Sequence, residues 1–217
     1  MIKYLETDGK THNDLKLFRQ GEVSGIFELY NLCQTRGGER ELRLMFQKPL
    51  ADREAILDRM LAFQQLESLS LTFPFEGRVL DAVEKYIIQP IANEKSGEAQ
   101  RLSERDIQTG VENVIHLFQK AKNVIQQIQV KDSRLLNLLI QSVLDICTDQ
   151  IFEPVFKYKE GSKLSYSGLT AFDALFRVKA SEKIKELLQH LYLFDVYLSI
   201  SRVSNKMNFT YPVIVEE

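Results

Sequence analysis

Apolar residues recur at helical spacing along most of the chain, and glycine, proline and polar clusters mark the breaks between runs. Between Glu39 and Gln47, Leu42, Met45 and Phe46 fall three and four apart, which predicts a short helix with one buried face. Thr35-Arg36-Gly37-Gly38 before it reads as a turn, because two glycines relax the limits on a sharp change of direction. Pro49 lacks an amide hydrogen and pushes Lys48 out of helical geometry, so that helix ends there. Asp52 is placed to cap the next helix. Its wide apolar face is built from Ile56, Met60 and Phe63, with Leu57, Leu61 and Leu66 beside them.

Upstream, residues 1–10 read as an extended lead-in turned by Asp8-Gly9. Thr11 to Arg19 and Ser24 to Gln34 then read as helices, the second burying Ile26, Phe27, Leu29 and Tyr30. Downstream, Leu69 to Phe75 is aromatic-rich with Pro74 inside, suiting a strand fragment or an extended connector. A helix from Glu76 to Gln89 stops before Pro90, and Asn93 to Gln100 is a polar loop around Ser96-Gly97.

The longest periodicity begins after that loop. Ser103 and Asp106 form a capping-box start. Beyond it Ile107, Val111, Val114, Phe118, Ala121, Ile125 and Ile128 alternate steps of four and three, the seam of a long helix packed lengthwise. Ser133 to Phe152 predicts a second long helix, apolar on several sides. From Glu153 to Leu169 the pattern changes: Phe156, Tyr158, Leu164 and Tyr166 alternate with polar residues around Glu160-Gly161-Ser162, which predicts a β-hairpin-like excursion. Helical spacing then returns through Ala180, Ile184, Leu187, Leu191, Phe194 and Leu198, with Val196, Ile200 and Val203 on another face.

Composition narrows the class. A chain of 217 residues with 44% hydrophobic and 27% charged side chains can bury a real core as one large or two small domains. A formal net charge of −2 argues against a dedicated nucleic-acid-binding module acting alone. Cys33 and Cys147 both fall in helical apolar contexts and are expected as reduced core thiols, which suits a cytoplasmic protein. The N-terminus has no signal-peptide pattern, and no run approaches the ~20 apolar residues of a membrane span.

The stretch from Asp14 to Ser68 resembles the core region of MutS-family proteins, the clamp-shaped ATPases of DNA mismatch repair. Ser24, Ile26, Leu29, Thr35, Gly37, Gly38, Leu42, Pro49, Leu50, Asp52, Arg53, Ile56 and Arg59 fall in that family's order and close to its spacing. Leu5, Asp8, Thr11, Asp14 and Leu15 resemble the approach to the same region. A second part lies in Leu193-Phe194-Asp195-Val196-Tyr197-Leu198-Ser199-Ile200-Ser201-Arg202-Val203. It resembles the family's Leu-Asp-Val before a Ser/Ala-rich helix end, and Asn208 to Pro212 resembles the family's next stretch. Asp195, between apolar neighbours, is expected to be a structural carboxylate capping or bridging another helix.

The resemblance implies a mostly α, elongated scaffold: a helical core over 1–102, long antiparallel lever helices over 103–205 with a short excursion at 153–169, and an exit segment at 206–217. It implies a non-catalytic core and lever part that couples ATP state in a C-terminal domain to binding of mismatched or otherwise unusual DNA. ATP and magnesium would belong to that domain, and homodimerisation would run mainly through it. The chain departs from the family's pattern in several places. Residues 153–169 are too few for the DNA-reaching clamp. The Phe-x-Glu mismatch wedge and the loop G-x-x-x-x-G-K-[ST] are absent, and the C-terminus reads as the end of a truncated product.

The sequence itself names no catalytic, cofactor-binding or metal-ligating residue and singles out no DNA contact. His12, His116 and His190 are scattered singly, without a second His or Cys at helical ligand spacing. Between Arg36 and Arg59 the charges nearly balance. Arg36, Arg40, Arg43, Lys48, Arg53 and Arg59 face Glu39, Glu41, Asp52, Glu54 and Asp58, unlike a phosphate-binding surface. The alternative reading is a helical protein-interaction module with no nucleic-acid role, its heptad seams packing against a partner.

Overall fold

A computed structural model describes residues 3–89, 102–159 and 161–214. The described chain is mostly α-helical, and among these residues β-structure is limited to two isolated bridges, Tyr4 with Leu50 and Gln20 with Val23. The α-helices among the described residues are α1 (Gly9–Asp14), α2 (Ile26–Tyr30), α3 (Arg36–Gln47), α4 (Arg53–Leu69), α5 (Gly77–Ile88), α6 (Glu104–Ile125), α7 (Arg134–Thr148), α8 (Glu153–Lys157), α9 (Tyr166–Ala174) and α10 (Ser181–Met207). A 3₁₀ turn, Gln150–Phe152, precedes α8, and one turn of π-helix, Leu175–Lys179, comes after α9. The predicted loop over 93–100 lies outside the described residues.

The chain forms two compact units that do not follow chain order. One comprises Met1–Pro74, Gln129–Leu139 and Leu191–Glu217; the other comprises Phe75–Ile128 and Ile140–His190.

In the first unit the helix starts are set by side chains that satisfy otherwise unpaired amides. Asp8 accepts from the Thr11 amide at 2.7 Å, Thr35 from Gly38 at 2.8 Å and Asp52 from Ala55 at 2.9 Å. The extended lead-in pairs with residues 49–51, the Leu5 amide reaching Pro49 O and the Ala51 amide reaching Lys3 O, both at 2.9 Å. Phe27 is buried, with Phe18 and Phe46 rings 5.6 and 5.9 Å away. The Arg43 guanidinium lies 4.2 Å from the Phe27 ring centre, an attraction of positive charge to the π face. Gln65 on α4 takes the Asp132 and Ser133 amides at 3.2 and 3.0 Å, and Ser133 in turn accepts from Leu136, so the start of α7 is held on α4.

In the second unit α6 packs against α5, α8 and α9. The Ser103–Asp106 capping box forms as the sequence predicts, and Val111, Val114, Phe118, Ala121 and Ile125 of the seam are all buried. Phe118 and Phe152 rings stand 4.2 Å apart at its centre.

Several predicted boundaries shift. Thr35-Arg36-Gly37-Gly38 is the capped first turn of α3, with both glycines buried, and not a separate turn. Helix α2 is only five residues long. Residues 31–35 leave helical geometry, so Cys33 sits in an irregular stretch, and Ile26 and Leu29 are exposed while Phe27 is buried. The β-hairpin predicted over 153–169 is replaced by α8 and the start of α9, with no strand among the described residues. Pro154 stands at a helix start, where it needs no donor, and Ser165 caps α9 by accepting from Gly168. Apolar spacing over so few residues fits two short helices as well as a strand. Leu69 to Phe75 takes the connector form: α4 ends at Leu69, Ser70 is in the left-handed region at φ 49°, and the next residues carry no helix or strand.

Candidate functional site around Asp195

Residues 31–35 run between α2 and α3 without helix or strand, so their backbone groups need partners from elsewhere. Helix α10 supplies them. Asp195 Oδ2 accepts from the Gln34 amide at 3.0 Å, the Thr35 amide at 2.9 Å and the Thr35 hydroxyl at 2.7 Å. One turn on, Ser199 Oγ accepts from the Leu32 amide at 2.8 Å and donates to Tyr30 O at 2.6 Å. A third small polar residue, Ser201, donates to Phe63 O of α4 at 3.0 Å and to Tyr197 O at 2.7 Å. All three side chains are buried, which is tolerable because each is hydrogen-bonded.

The glycine pair lets this happen. A methyl group on Gly37 would lie 2.3 Å from the Tyr192 ring, and one on Gly38 would lie 2.5 Å from Asp195 Oδ2. Only a residue without Cβ admits α10 this close to the first turn of α3. Thr35 works in both directions: its hydroxyl donates to Asp195 and accepts from the Gly38 amide, so cap and bridge are one group.

The electrostatics suit a structural role. Burial pushes the Asp195 carboxyl up, while the Gln34 and Thr35 donors and the charge of Arg202 pull against that shift. Burial, and then the nearby Asp195 charge, push the Cys33 thiol up to about 12, so it is a poor nucleophile at neutral pH. Burial pushes Cys147 of the second unit up to about 12 as well, and both cysteines are free thiols. The arrangement around Asp195 thus fastens helices; it presents no activated nucleophile.

No histidine is among the hydrogen-bond partners of Asp195, Ser199 or Ser201 given above. His12 Nε2 lies 3.0 Å from the Thr7 hydroxyl. His116 is half-buried on α6, and burial lowers the His190 pKa on α10. Among the described residues no group of three or more His, Cys, Asp or Glu is placed to hold a metal ion. No single helix among them is long and apolar enough to cross a membrane.

A second, partly buried polar network lies in the other unit, and no sequence pattern pointed to it. Asp173 accepts from the Tyr86 hydroxyl at 2.6 Å and from Arg177 through Nε at 2.7 Å and Nη2 at 2.6 Å. The Asp173–Arg177 spacing of four is visible in the sequence, but its connection to Tyr86 depends on the tertiary fold.

No protein-family model matches the chain, and no curated protein matches it.

Proposed function

We propose that this chain is the non-catalytic core and lever part of a MutS-like DNA-binding ATPase. It would couple ATP state, in an ATPase domain that this chain does not contain, to engagement of mismatched or structurally unusual DNA. The observation that carries the reading is the meeting of its two resembling stretches. The segment around Thr35 and the segment around Asp195 are far apart in sequence, yet each supplies what the other lacks: backbone donors on one side, buried acceptors on the other. A hub of this kind ties the exit of a long helix rigidly to neighbouring short helices. Rigid helices fastened at one end can transmit a domain rearrangement as lever movement. In this reading the protein is cytoplasmic and dimerises through the ATPase part, and ATP and magnesium bind there.

The reading is tested on the natural full-length protein by its ATPase rate with no DNA and with duplex, mismatched or branched DNA. DNA-stimulated hydrolysis is expected, with the stimulation lost in a folded Thr35→Val variant that keeps its basal rate. Absence of both ATPase and DNA binding would overturn it and favour a helical protein-interaction module. The exposed apolar residues Ile26 and Leu29 on α2, with Leu32 beyond it, suit that second reading.

A further inference from the structure

The passage from α9 to α10 is not a plain helix end. Leu175–Lys179 winds as one π turn, and the Ala180 amide donates to Leu175 O at 2.9 Å, five residues back. Such a turn holds one residue more than α-helical winding needs. It can migrate when neighbouring amides exchange five-back for four-back bonds, and each step rotates the side chains it passes by about 100°.

Something must therefore fix its position, and the Tyr86–Asp173–Arg177 network is placed to do so. Arg177 lies inside the π turn and binds Asp173 of α9 with two parallel bonds, its side chain only 8% exposed. Tyr86 of α5 donates to the same carboxylate, and the guanidinium lies 5.5 Å from its ring centre. Gly110 of α6 makes room for that ring: a methyl group there would fall 2.3 Å from it. Phe176, fully buried, packs on Phe172 with ring centres 5.5 Å apart. Moving the turn by one residue would swing Arg177 off Asp173 and leave that partly buried carboxylate with the Tyr86 hydroxyl but without its charged partner, a loss of charge-assisted bonds.

We infer that the Leu175–Lys179 π turn is a movable hinge between α9 and α10, and that Tyr86, Asp173 and Arg177 form the clamp that holds it in register. The hinge does not depend on the MutS-like reading.

Amide hydrogen exchange on the whole chain tests it, comparing the unaltered protein with Tyr86→Phe and Arg177→Lys. Tyr86→Phe keeps the ring over Gly110 and removes only the hydroxyl; Arg177→Lys keeps the charge and loses the paired bonds. Both are expected to speed exchange at residues 175–180 by about tenfold or more, while the core amides of α6 at 111–121 change little. Unchanged exchange at 175–180, or an equal rise in α6, would overturn the hinge and leave the network as ordinary packing.

Discussion

Asp195 and Thr35 lie 160 positions apart in the chain, yet one carboxylate oxygen accepts both the amide and the hydroxyl of that threonine, at 2.9 and 2.7 Å. Since the same hydroxyl caps α3, the bridge and the helix start should fail together. Thr35→Val is expected to cost about 2–4 kcal/mol, from a lost bond to a charged group plus a lost cap. Thr35→Ser should cost under about 1 kcal/mol because it keeps both bonds. Urea unfolding of the two variants measures this, and a double-mutant cycle with Asp195→Asn should show non-additive losses, as expected for side chains in direct contact.

The glycine pair gives a second prediction with its own control. Gly37→Ala places a methyl group 2.3 Å from the Tyr192 ring, so ring or helix must shift. Overpacking of this kind costs about 1–3 kcal/mol or more. At Gly9 nothing lies within 4 Å, and Gly9→Ala should change stability by no more than about 0.5 kcal/mol. Thermal unfolding of both separates a steric requirement from a general dislike of change.

Thr35 and the glycine pair also mark how far the fold is legible in the sequence. Helical periodicity locates α3, α4, α6 and α10, because burial of one face leaves a repeating trace; Ala180, Ile184, Leu187, Leu191, Phe194 and Leu198 are all buried as the heptad spacing predicts. The same reasoning puts Gly37-Gly38 in a turn. Local preference registers that glycine permits an unusual backbone, but not that a helix from much later in the chain needs the space. Asp195 stands out as an acid among apolar neighbours, whereas its partners at residues 34 and 35 include backbone amides that no sequence pattern displays. Residues 153–169 are ambiguous for a related reason: short apolar alternation fits a strand or two brief helices, and Pro154 with Ser165 decides for helices.

The Asp195 carboxyl should also leave a trace in the pH dependence of stability. Burial raises its folded-state pKa above the value of about 3.9 expected in the unfolded chain. As pH rises past that value, the unfolded chain releases the proton first. The contribution of this group to stability is therefore full at low pH, declines up to its folded pKa, and is level above it. Other carboxylates act oppositely: Asp149, held low by its hydrogen bond to Lys183, contributes in full above its unfolded value and loses that contribution as pH falls through its folded one. The comparison is thus between the unaltered protein and Asp195→Asn, with urea midpoints measured from pH 3 to 7. Relative to the variant, the unaltered protein should lose stability as pH rises; parallel curves would mean the hydrogen bonds cancel the burial.

Cys33 offers a chemical readout of the same junction. Its thiol is pushed up to about 12 by burial and by the neighbouring Asp195 charge, and Cys147 reaches about 12 by burial. At pH 8 each should react with a disulfide reagent roughly a thousandfold more slowly in the folded protein than in the unfolded chain, since only the thiolate attacks. Asp195→Asn removes one cause of the Cys33 shift and loosens the stretch around it, so labelling at Cys33 should quicken while labelling at Cys147 stays slow. Site-resolved labelling by mass spectrometry distinguishes the two thiols. Equal acceleration at both would mean that the substitution unfolds the protein at large, and that Asp195 supports more than the residues it touches.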